Sequence, residues 1–121
     1  MARTILVVDD SVTMRQMVGY TLKQAGFAVL EGANGQEGLA RLDTQRVDVI
    51  ITDLNMPVMD GITFIRQVRG RPGMKGLPVL MLTTESQESK KQEGKAAGAT
   101  GWIVKPFQPD KLLAVLARVL P

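Results

Sequence analysis

The sequence contains neither cysteine nor histidine. The first absence excludes disulfides, thiolate nucleophiles and cysteine-ligated zinc. The second removes imidazole ligands and the commonest general base, which leaves carboxylates as the strong metal ligands and the candidate nucleophiles. Aromatic residues are scarce, with one tryptophan and one tyrosine; there is no recognition helix or basic aromatic surface, and direct nucleic-acid binding is not expected. No apolar run reaches the ~20 residues of a membrane span, and the opening Met1-Ala2-Arg3-Thr4 lacks signal-peptide character. A cytoplasmic protein without membrane insertion is the expectation. Charge is nearly balanced, 15 basic against 12 acidic residues for a net +3, which suits an acidic protein partner and makes no demand for nucleic acid. Linkers and repeats are also missing, so the 121 residues read as one domain, 1–121, large enough to hold a core without staples.

What the chain does contain is a series of apolar runs, each closed by a polar residue. Ile5-Leu6-Val7-Val8 leads into Asp9 and Asp10, and Val49-Ile50-Ile51-Thr52 into Asp53. Val79-Leu80-Met81-Leu82 ends at Thr83, and Trp102-Ile103-Val104 at Lys105. Segments of helical period separate these runs, the alternation of an α/β fold with a parallel sheet. Met14, Met17, Val18, Thr21, Leu22 and Ala25 form one stripe at three- and four-residue intervals that stops at Gly26. Further strands are predicted over 27–31, 47–52, 78–82 and 102–104, with helices over 35–43, 61–69, 86–97 and 109–119. Leu39, Leu42, Ile62, Ile65 and Val68 should face inward, and Pro109 suits a first helical turn. The stretch 70–76 is a loop. Gly32, Gly35 and Gly38 lack the dinucleotide fingerprint and read as turn residues. The result is a doubly wound five-stranded parallel sheet flanked by five helices.

In such sheets ligands bind beyond the carboxyl ends of the strands, where strand order reverses. Three acids, a hydroxyl and an ammonium would then meet at one edge. Asp10 also fits a helix N-cap. Asp9 has no such role, and two carboxylates ~4 Å apart repel by ~4 kcal/mol at an effective dielectric of 20, so converging acids call for a cation. Oxygen-only ligands select a hard ion. Mg²⁺ is the expected cofactor because it keeps waters that a phosphate can replace; Ca²⁺ shares the ligand chemistry, though no twelve-residue calcium loop is present. Asp53, from the middle strand, is the best nucleophile, with Lys105 and Thr83 placed to neutralise phosphoryl oxygens.

At this point the sequence resembles the response-regulator receiver family over its whole length, most closely the family's single-domain chemotaxis regulators. The resemblance rests on Val7-Val8-Asp9-Asp10-Ser11 with Thr13-Met14-Arg15, Asp53-Leu54-Asn55-Met56-Pro57 with Met59-Asp60-Gly61, Leu77 through Thr83, Ala97-Gly98-Ala99, and Gly101-Trp102-Ile103-Val104-Lys105-Pro106-Phe107. It implies a flavodoxin-like strand order 2-1-3-4-5 and a phosphorelay function in which Asp53 accepts a phosphoryl group from a phosphohistidine on a sensor histidine kinase. It implies a metal site of Asp10, Asp53 and the Asn55 backbone carbonyl, with Asp9 acting through water. It further implies a cis Lys105–Pro106 peptide, modulation of acyl-phosphate hydrolysis by Asn55 and Glu85, and a receiver that promotes its own phosphorylation and dephosphorylation.

Readout in this family passes through a threonine and an aromatic on the last strand, here Thr83 and Trp102, which alter the face made by the fourth helix, fifth strand and fifth helix. Indole lacks the acceptor oxygen of the usual tyrosine. Trp102 also fits a half-buried anchor for a partner. The fourth helix, with little apolar surface and an internal glycine, should be loosely held, its Lys90, Lys91 and Lys95 facing solvent. A monomer is expected, whose output partners include a flagellar switch or another target, and a phosphatase; a phosphate sink or relay intermediate is the alternative. An aspartyl phosphatase of the haloacid dehalogenase type fits less well because Asn55 stands where its second aspartate belongs. A flavin mononucleotide carrier lacks its hydroxyl-rich phosphate loop.

Overall fold

A computed structural model describes residues 2–84 and 87–120, over which strands and helices alternate without exception. Their order is β1 (Thr4–Val8), α1 (Val12–Gln24), β2 (Ala28–Gly32), α2 (Gly35–Thr44), β3 (Val49–Asp53), α3 (Gly61–Arg69), β4 (Val79–Thr83), α4 (Glu88–Ala97), β5 (Gly101–Val104) and α5 (Pro109–Val119). The five strands form one parallel sheet in the order β2-β1-β3-β4-β5. Strand order therefore reverses at β1 and β3, and their carboxyl ends open a crevice between Asp9 and Asp53.

Successive side chains of a strand point to opposite faces, so each apolar run supplies two cores. Leu6, Val8, Ile50, Val79 and Met81 pack with Leu42, Ile62, Phe64, Ile65 and Val68 beneath α2 and α3. Ile5, Val7, Val49, Ile51, Leu80, Leu82 and Ile103 pack on the other face with Val18, Leu22, Leu112 and Leu116 of α1 and α5. Every residue of β3 and β4 is buried, as the central strands of a sheet covered on both sides must be.

The predicted elements are all present, with informative shifts at their ends. Asp53 and Thr83 are the last residues of β3 and β4 and not the first beyond them, because the ladder continues through Asp53 opposite Leu82 and Thr83 opposite Val104. The predicted start of the fourth helix at Ser86 lies outside the described residues, and α4 runs from Glu88. The stripe on α1 is narrower than predicted. Val18, Gly19 and Leu22 are buried, Ala25 is exposed and Met17 is 51% exposed; Gly19 rests near Val29, so the contact line runs through positions 18, 19 and 22. The α1 N-cap is Ser11, whose hydroxyl accepts from Met14 N, not Asp10. Gly32 and Gly38 are close-packing residues and not turn residues: a Cβ on Gly38 would lie 2.9 Å from the Phe64 ring, and one on Gly32 3.0 Å from Gly38 N. The Lys105–Pro106 peptide is cis.

Candidate phosphoryl site

Asp9 continues β1 by one residue, its N–H donating to Gly32 O across the sheet edge, and is only 1% exposed. Ser11 N donates to Asp9 Oδ1 at 2.9 Å. Arg15, one turn into α1, donates to the Asp9 carbonyl at 2.6 Å while pairing with Glu31 at 3.2 Å. Asp9 Oδ2 is buried with no hydrogen-bond partner. Burial, with the charges of Asp53 and Asp10 adding to it, raises the Asp9 carboxyl to about 6 against the opposing Ser11 hydrogen bond and Lys105 charge.

Asp53 ends β3 facing Asp9. Its Oδ1 accepts from Leu54 N at 2.8 Å and from Lys105 Nζ at 3.0 Å, and Lys105 Nζ lies 3.8 Å from Asp9 Oδ2. One ammonium thus reaches two carboxylates. The Lys105 backbone N–H donates to Thr83 O, which ties the lysine to the end of β4. Thr83 is fully buried and its Oγ1 has no partner. Asp10 is exposed beside Asp9, and one carboxylate oxygen from each of Asp9, Asp10 and Asp53 lies within 4.8 Å of the others.

These features bear on whether a hard cation suits the site. An oxygen-only donor set gathers around a buried carboxylate oxygen that lacks any donor, and a single ammonium cannot balance three carboxylates. The residues fit a divalent ion. Asn55 is exposed in the loop two residues past Asp53, and Glu85 lies outside the described residues. Trp102 is 37% exposed on β5, turned toward α4.

Sequence reasoning drew Asp9, Asp10, Asp53 and Lys105 to one place, and the structure brings these four together. It gave no part to Arg15 and Ser11, which hold Asp9 from behind; a cation one helical turn after paired acids was the available signal. It also placed Lys90, Lys91 and Lys95 in solvent; Lys90 and Lys95 are exposed, but the Lys91 side chain is 14% exposed, and the ammonium groups of Lys91 and Lys95 both lie over the Trp102 ring.

A response regulator receiver domain model matches residues 5–117 of the chain. The chemotaxis protein CheY1 of Helicobacter pylori is 41% identical over 118 residues, covering 96% of this chain and 95% of that protein. Among solved structures, chemotaxis protein CheY4 of Vibrio cholerae is 54% identical with a TM-score of 0.94, covering 99% of this chain and all of the other. The receiver domain of sensor histidine kinase PA1611 from Pseudomonas aeruginosa, solved with magnesium coordinated in its active-site cleft, is 26% identical with a TM-score of 0.90 over 98% of this chain and 97% of its own. The doubly wound sheet with its acid-lined switch-point crevice is shared with these proteins, and the chain belongs to the response regulator receiver family. It is a phosphorelay response regulator, for which a histidine kinase is the phosphoryl donor.

Proposed function

We propose that residues 1–121 act as one receiver domain, cytoplasmic and of the chemotaxis type, whose phosphoacceptor is Asp53. The observation that carries the assignment is the Asp53 carboxylate at the switch point, 3.0 Å from Lys105 and within reach of two further acids. An Asp53 oxygen attacks the phosphorus of the kinase phosphohistidine. The new P–O bond forms as the P–N bond breaks, and the imidazole departs with the bonding pair and takes up a proton. The products are an aspartyl phosphate and a free histidine. Because this chain has no histidine of its own, the donor imidazole comes from the partner.

Asp9, Asp10, Asp53 and the Asn55 backbone carbonyl would hold Mg²⁺, which when bound offsets the converging negative charge and draws charge from a phosphoryl oxygen. Lys105, already on Asp53, shifts to the incoming phosphoryl group, and the unpartnered Thr83 hydroxyl donates to another of its oxygens. These are the groups by which the protein promotes its own phosphorylation. In the return reaction water attacks phosphorus and releases inorganic phosphate, at a rate set by Asn55 and Glu85. Once Thr83 has turned to the phosphoryl group, Trp102 is the aromatic that responds, and the α4–β5–α5 face carries the signal to an output protein such as a flagellar switch.

Labelling with acetyl phosphate tests the assignment. Wild-type protein with Mg²⁺ should gain one alkali-labile phosphoryl group, and Asp53→Asn should gain none. Equal labelling of the variant would move the site elsewhere. Retention of a flagellar switch protein on the beryllofluoride-loaded form but not on Asp53→Asn supports the chemotaxis reading; retention of no output protein favours a phosphate sink or relay.

A further inference from the structure

Trp102 is gripped by α4. Lys91 Nζ lies 5.3 Å and Lys95 Nζ 5.0 Å from the centre of its ring, both inside the ~6 Å range over which an ammonium is drawn to an aromatic face. The two lysines are four residues apart, so a single helix face presents both. Lys90, their neighbour, makes no contact with the ring: its side chain is 48% exposed and pairs with Glu93, whereas the Lys91 side chain is 14% exposed and also reaches Glu88, and Lys95 is exposed but lays its ammonium over the ring. Lys91 is therefore packed against the ring, and like charges at this spacing would repel without an aromatic to offset them.

The rest of α4 does little to fix the indole. Gly94 is the helix's one buried residue, seated on the Met81 side chain. Met81 stands opposite Trp102 in the β4–β5 ladder, and Thr83 follows two residues later on the same face of β4. The indole, Met81 and the unpartnered Thr83 hydroxyl thus occupy one side of the sheet beneath α4.

We propose that Lys91 and Lys95 are positioning residues that hold Trp102 in its outward place against α4 and so set the resting bias of the switch. The proposal rests on the reading of Trp102 as the aromatic that responds to phosphorylation. For the ring to move inward, both ammonium contacts must break, so they favour the unphosphorylated arrangement. By linkage, whatever favours that arrangement weakens binding of a phosphoryl group or its mimic by the same factor. Removing both charges should release the ring and strengthen that binding.

Because Trp102 is the only tryptophan, its emission and its quenching by neutral acrylamide report the ring without a label. In Lys91→Gln/Lys95→Gln without ligand, quenching should fall toward the value of wild type loaded with Mg²⁺ and beryllofluoride. The beryllofluoride midpoint of this variant should drop about fivefold, on the scale of two partly exposed cation–π contacts. Lys91→Arg/Lys95→Arg keeps the contacts and should restore wild-type behaviour. Lys90→Gln removes one charge from the same helix without touching the ring, and should leave both readouts unchanged where the single variants Lys91→Gln and Lys95→Gln each shift them. Should the Gln pair match a responsive wild type, or Lys90→Gln reproduce its effect, the clamp is overturned and the switch reading stands. If wild-type emission stays flat while beryllofluoride raises the melting temperature, the switch reading fails and the clamp fails with it.

Discussion

Asp9 is buried, with one oxygen on Ser11 N and the other lacking a hydrogen-bond donor though Lys105 Nζ stands 3.8 Å away, and burial favours the protonated acid over the opposing Ser11 bond and Lys105 charge. Its folded-state value of about 6 exceeds the ordinary 3.8, so between these pH values the folded chain keeps a proton that the unfolded chain has lost. The stability this confers is complete below about 3.8, declines as pH rises and is gone above about 6. Metal-free wild type should accordingly lose stability over that window. Asp9→Asn, which carries no charge, should be flatter there and about 1–3 kcal/mol more stable at neutral pH, as read by melting in EDTA across the range. A wild-type stability that rises through the same window would contradict the assignment. Val58 is the other residue whose environment opposes its chemistry: it is 71% exposed and has φ of 71°, in the left-handed region that a β-branched side chain avoids. Val58→Asn, which tolerates that region, should stabilise the protein by about 1 kcal/mol in denaturant melts.

Elements are drawn to the site by close backbone approach as much as by apolar burial. A Cβ on Gly61, at the start of α3, would come 2.1 Å from Asp53 O, and Gly61 N donates to Leu54 O at 2.8 Å. Backbone atoms cannot retreat as side chains do, so Gly61→Ala should cost about 2–4 kcal/mol and impair acetyl-phosphate labelling. On α4, a Gly94 Cβ would meet Met81 Sδ at 1.9 Å. Methionine can repack and alanine favours helix, so Gly94→Ala should cost less than Gly61→Ala, a ranking that urea denaturation checks. This contrast marks the limit of what periodicity reveals. Long apolar runs and the regular helices α3 and α5 were legible because burial on a 2.0- or 3.6-residue period writes itself into composition. Met17 escapes the pattern because a helix stripe also depends on which neighbour it meets, and Lys91 because its partner is an aromatic on another element. Gly38 was mistaken for a turn residue for the same reason: the Phe64 ring that requires it is distant in sequence.

Across the whole molecule, the site exists only because a parallel sheet sets the ends of β1, β3 and β4 and the residue after β5 along one edge. Those four ends were visible as apolar runs closed by polar residues, but the order β2-β1-β3-β4-β5 was not; it came from family resemblance, since local pattern carries no information about which strands adjoin. What the fold creates is stored repulsion: three carboxylates within 4.8 Å and one lysine to offset them. A cation that binds the folded chain alone must therefore stabilise the whole domain, by ~2.7 kcal/mol at one hundred times its dissociation constant. For a domain of this size that corresponds to a rise of roughly 10 °C in melting temperature. Wild type should show this rise on addition of Mg²⁺ at neutral pH. Asp9→Asn should begin higher and gain much less, so that the variant is the more stable protein in EDTA and the two converge or cross in saturating Mg²⁺. An equal gain in both proteins would place the ion away from Asp9, because relief of crowded charge requires the charge to be there.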